Sequence, residues 1–66
     1  MDRITNTVYE HRQRAELTQE ELAERAGVTR QTVIAIEKGN YAPSVTLALK
    51  LATIFRTQVE KLFRID

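Results

Sequence analysis

Between Leu17 and Ser44, LTQEELAERAGVTRQTVIAIEKGNYAPS, apolar residues recur at helical spacing in two short stripes with a glycine between them. Thr18 with Glu21 three residues on has the form of a capping box: the hydroxyl accepts the Glu21 amide N–H, and the carboxylate accepts the Thr18 amide N–H. Leu22, Ala23 and Ala26 share one face of the helix that starts there, and Gly27 can take the left-handed backbone that ends it. Val28 is then a buried anchor, Thr29 a second N-cap, and Val33 with Ile36 the inward stripe of the next helix. That register turns Arg30, Gln31, Ile34 and Ala35 outward. Ala23 adds no bulk beyond Cβ, so the two helices cross closely, as helices joined by a turn of roughly three or four residues must.

The flanks read as helical scaffold. Ile4, Val8, His11 and Ala15 mark one stripe of a first helix. Ser44 caps VTLALKLATIF, whose polar interior positions Thr46, Lys50 and Thr53 fall on one narrow line, which predicts a central helix buried nearly all round. Thr57 with Glu60 has the form of another capping box and opens a short last helix through Leu62 or Phe63, with Val59 exposed at its start. The result is a single all-α domain over residues 1–66, with five helices and the bipartite motif at about 18–38.

The outward side chains of the second motif helix suit the major groove of double-stranded DNA. Arginine donates two hydrogen bonds to guanine O6 and N7, glutamine pairs with adenine N6 and N7, and an alanine methyl meets a thymine methyl. Arg30, Gln31 and Ala35 supply that chemistry. An isolated bipartite pattern would carry little weight. Here, however, LTQ..LA...GV.RQT...IE.G.Y.PS, then LALKLA and VEKLF, run through nearly the whole chain with caps in register.

The chain thereby resembles the short single-domain subgroup of the Cro/cI-type (xenobiotic response element) helix-turn-helix regulators. The resemblance implies a five-helix Cro/cI repressor-like fold in which Arg30, Gln31 and Ala35 read bases. Gln19 would contact a phosphate, with Thr29, Thr32, Lys38, Asn40 and Tyr41 along or supporting the backbone contacts. Arg12 and Glu37 match a structural ion pair between the first and third helices. Short relatives dimerise through the loop before the fourth helix and through the fifth, which here means Ala42, Pro43, Val59 and Phe63. Their tails also suggest that Arg3 to Thr5 and Phe63 to Ile65 pair as a small antiparallel ribbon. Three positions depart from the family pattern: His11 stands where leucine is expected, and Glu16 and Arg56 stand at helix ends where glycine is common. A non-glycine residue with positive φ costs on the order of 1 kcal/mol, which the fold survives.

Composition narrows the function without naming it. A chain of 66 residues buries only roughly 60% of its unfolded surface, so a second copy adds useful core. Ten Lys or Arg against nine Asp or Glu leave a net charge of +1, so a DNA-facing patch must come from distribution. Arg12, Arg14, Arg30 and Lys38 fall in or near the motif, while Glu20, Glu21 and Glu24 occupy the outer face of its first helix and read as a solvated surface rather than a metal site. The absence of cysteine excludes disulfides and thiolate metal sites and fits a cytoplasmic protein. No signal peptide and no membrane-spanning run is seen, and no cofactor or small-molecule effector domain is expected. An enzyme would need a nucleophile–base pair, a metal cluster or a phosphate-cradling loop, and none is evident. The reading is therefore a homodimeric repressor on an inverted-repeat operator. The alternative is an antitoxin-like protein-interaction module with secondary DNA binding, whose signature would be an extra disordered or amphipathic tail.

Overall fold

A computed structural model describes residues 3–66. Strand β1 (Ile4–Asn6) leads into α1 (Val8–Arg14), α2 (Gln19–Ala26), α3 (Arg30–Glu37), α4 (Val45–Ile54) and α5 (Val59–Leu62), and β2 (Phe63–Ile65) closes the chain. The strands pair antiparallel with Ile4 opposite Ile65 and Asn6 opposite Phe63. The ribbon is thus real, and β1 lies one residue further along than the tails suggested. Thr7 N–H donates to the Leu62 carbonyl and Asp66 N–H to that of Arg3, so the pairing reaches both ends of the ribbon.

Caps set the helix starts. The Thr18 hydroxyl accepts from Glu21 N–H at 3.0 Å while Thr18 N–H donates to the Glu21 carboxylate at 2.8 Å, so the box is complete. This reciprocal bonding to Thr18 holds the Glu21 carboxyl below its usual pKa. Thr29 and Ser44 hydroxyls accept from Thr32 N–H and Leu47 N–H, capping α3 and α4. Gly27 ends α2 at φ 73°, the left-handed conformation that glycine adopts without a Cβ penalty. Glu16 and Arg56 hold φ of 57° and 52°, so the first and fourth helices do end in left-handed residues that carry side chains.

The core is built around Leu22 of α2, Val33 and Ile36 of α3, Leu51 of α4, Leu62 of α5 and Val8 of α1, each nearly inaccessible. Ala23 is buried where α2 meets α3, in keeping with a close crossing. Four expectations are corrected. Helix α1 begins at Val8, so Ile4 belongs to the ribbon and Ala15 is an exposed cap; the buried residues of α1 are Val8 and Arg12, one turn apart, with His11 half-buried beside them. The Thr57 box does not form: α5 starts a residue later, with Gln58 at its N-cap and no side-chain bond, while Thr57 N–H closes α4 by donating to the Ala52 carbonyl. Helix α4 is not wrapped all round, since Val45 is 77% and Leu49 55% exposed. A chain this small has too few elements to cover its most apolar helix on every side. Val59 is half-buried and packed on the core rather than exposed.

His11 is accommodated without a leucine's bulk. Its Nδ1 lies 2.9 Å from the Thr7 carbonyl and 3.2 Å from the Thr7 hydroxyl, and the ring tilts against Phe55 at a centroid distance of 5.6 Å. Because the Thr7 hydroxyl already donates to the Lys61 carbonyl, Nδ1–H is the donor toward Thr7. The position therefore ties the start of α1 to α5 and to the end of α4.

Candidate nucleic-acid interface

Helix α3 buries Val33 and Ile36 and turns its first residues, Arg30 and Gln31, into solvent. Ile34 and Ala35, one turn further, are half-buried. Thr29 accepts from Thr32 N–H at 3.3 Å, and the two hydroxyls lie 3.1 Å apart, which fixes the entry into the helix. The first turn of α3 is thus a capped, outward-facing platform carrying one guanidinium and one carboxamide.

The start of α2 lies beside it. Arg12, Thr18, Gln19, Glu20 and Arg30 line one open cleft, so the guanidinium expected to read bases and the carboxamide expected to meet a phosphate share a surface with the first backbone N–H groups of α2. Lys38, Asn40 and Tyr41 follow α3 as exposed residues of the loop, and Tyr41 also borders a hollow with Thr32 and Val28. Of the expected contact set between α2 and the loop, Gln19, Thr32 and Ala35 are half-buried and the others exposed.

The platform is anchored from below by charge. Arg12 donates through Nε to Glu37 Oε2 at 2.6 Å, through Nη2 to Oε1 at 3.2 Å and through Nη1 to the Leu17 carbonyl at 2.9 Å. The two side chains are only 9% and 7% exposed, and the hydrogen bonding that the Arg12 guanidinium donates to Glu37 holds its pKa above even the usual high value. Gln19 donates its amide to the same Glu37 oxygen at 3.2 Å. Arg12 also lies over the Tyr9 ring, 5.3 Å from its centre.

Asn6 was not singled out by sequence, yet it clamps the same C-terminal end of α3 that carries Glu37. Its Nδ2 donates to the Ile36 carbonyl at 2.8 Å, and its Oδ1 accepts from Val8 N–H at 3.1 Å. An Asn two residues before a helical stripe is a turn-forming signal that could have flagged it. The residues expected at a dimer contact are divided. Ala42 and Phe63 line one groove with Ile4 and Tyr41, whereas Pro43 and Val59 lie outside its lining.

Among the described residues no group of acidic residues or histidine is placed to hold a metal ion, and no helix is long and apolar enough to cross a membrane.

A sequence profile of the helix-turn-helix family matches residues 8–62. An uncharacterized HTH-type transcriptional regulator of Methanothermobacter thermautotrophicus is 55% identical over 60 residues, covering 89% of this chain and 87% of the relative. One from Archaeoglobus fulgidus is 46% identical over 59 residues, 89% of this chain and 83% of its own. The uncharacterized HTH-type transcriptional regulator YgzD of Bacillus subtilis is 51% identical over 63 residues, 96% of each chain.

Proposed function

From the premise that the chain belongs to the Cro/cI-type helix-turn-helix family, we propose that it is a cytoplasmic, sequence-specific DNA-binding regulator of transcription. It acts as a homodimeric repressor by occupying an operator, with no reaction catalysed. The observation that carries this reading is the exposed first turn of α3, held outward by the buried Val33 and Ile36 and by the Thr29 cap. Arg30 and Gln31 read base edges there, and Ala35 offers only an apolar contact. Gln19, Lys38, Asn40 and Tyr41 follow the phosphates, with Thr29 and Thr32 supporting the helix entry.

One recognition helix covers too few base pairs for useful specificity. A two-fold pair places two such helices about 34–36 Å apart on one face of the duplex, so the operator is a short inverted repeat. Ala42, Pro43, Val59 and Phe63 contribute to the contact between copies, with Val59 and Phe63 also serving their own core. Selection of duplexes from a random pool tests the reading. Enrichment of a two-fold symmetric site with half-sites one helical turn apart supports it; enrichment of no sequence over background refutes it.

A further inference from the structure

We propose that Glu37, at the inner end of α3, is a positioning residue that aims the Gln19 amide at the DNA backbone. This rests on the reading of Gln19 as a phosphate contact, and it gives the buried ion pair a part in binding beyond holding the fold. A carboxylate only accepts hydrogen bonds, so the end of the Gln19 amide facing Glu37 Oε1 at 3.2 Å is the nitrogen. One amide hydrogen is used there. The other remains for an acceptor in the cleft that Gln19 shares with Thr18 and Arg30.

Glu37 can hold this aim because it is itself held. Arg12 grips its carboxylate through Nε and Nη2, and the Leu17 carbonyl takes a further Arg12 N–H. The chain of bonds thus runs from the residue before the α2 cap, through Arg12 and the last residue of α3, back to the first residue of α2. Glutamine is among the side chains that lose most rotamer freedom when fixed, and here that loss is met on folding rather than on binding DNA. The guanidinium also neutralises Glu37, which removes the repulsion that a bare carboxylate behind the contact would exert on a phosphate.

The test is a double-mutant cycle read as affinity for a short random-sequence duplex, which reports backbone contacts without needing the operator. Gln19→Met should weaken binding about tenfold in the otherwise wild-type protein, the lower end for a hydrogen bond to a charged group, and should leave the salt slope unchanged, because a neutral amide displaces no counterion. In the Arg12→Met/Glu37→Leu background, where both charges are replaced together, the same substitution should cost less than about threefold, because an unaimed amide has little left to lose. Equal penalties in the two backgrounds overturn the positioning role. No penalty in the wild-type background overturns the phosphate contact on which it rests. The wild-type protein also decides the matter unaided: side-chain amide relaxation of free Gln19 should give an order parameter approaching that of rigid backbone, about 0.85, and a value below about 0.6 overturns the proposal even if the doubly substituted protein fails to fold.

Discussion

Replacing Arg12 by methionine should destabilise this domain more than any single surface change, and replacing Glu37 along with it should restore most of the loss. The side chains are 9% and 7% exposed and share two hydrogen bonds, at 2.6 and 3.2 Å. Removing the guanidinium leaves the carboxylate in the interior with the Gln19 amide as its remaining donor, and breaking such a pair costs about 3–5 kcal/mol. At roughly 0.05–0.15 kcal/mol per residue the whole 66-residue domain is worth only about 3–10 kcal/mol, so either single variant gives up a large share of its stability. Arg12→Met/Glu37→Leu removes both charges, and the apolar pair should recover to within about 1 kcal/mol of wild type. Urea unfolding of the four proteins at neutral pH measures the cycle, with an interaction free energy of at least about 3 kcal/mol expected. The raised Arg12 pKa means its contribution is fully present below the unfolded-state value and is lost only as pH rises through the higher folded one. The interaction should therefore persist through mildly alkaline pH. Losses that add to within about 0.5 kcal/mol would show that the two charges do not act as a buried pair.

Three further outcomes follow from local features. Arg56→Gly relieves a φ of 52° but loosens the unfolded chain, so thermal stability should stay level or rise by up to about 1 kcal/mol; a clear fall would show that the side chain makes a contact that matters. Glu21→Ala removes half of the α2 capping box. Because the folded pKa of Glu21 is lowered, the charge-dependent part of its contribution is present above the ordinary carboxylate pKa and disappears as pH falls through the folded one. The gap in melting temperature between wild type and Glu21→Ala should therefore narrow in acid, and a gap independent of pH would contradict this. Ala42→Asp places a charge on an exposed loop residue at the proposed dimer contact. Sedimentation should show a folded monomer whose operator affinity has fallen further than its non-specific affinity, and a dimer of unchanged strength would move the contact elsewhere.

The motif was legible because its signals are local. Thr18 with Glu21, Gly27, Thr29 and Ser44 each specify a cap within a few residues, and the observed helices begin and end where those residues say. Legibility failed where two neighbouring elements compete for one group or where long-range structure decides. Thr57 and Glu60 have the right types and spacing for a box, but Thr57 N–H is taken by the Ala52 carbonyl at the end of α4, and the helix starts one residue later. The apolar run of α4 could not reveal how few neighbours the chain provides, so the exposure of Val45 and Leu49 appears only in three dimensions. Asn6 and the Gln19–Glu37 bond join residues 30 and 18 positions apart, and no periodicity announces them. The Arg12–Glu37 pairing was drawn from family resemblance, since nothing local links positions 25 apart.

Base reading by the first turn of α3 is tested by comparing wild type with Arg30→Ala on a set of duplexes carrying every single-base variant of the selected site. Loss of a bidentate contact should cost about 1–3 kcal/mol on the best site and flatten the preference at one base pair of each half-site, leaving the ranking elsewhere intact. An Arg30→Ala protein that ranks all the variants as wild type does would show that Arg30 reads no base.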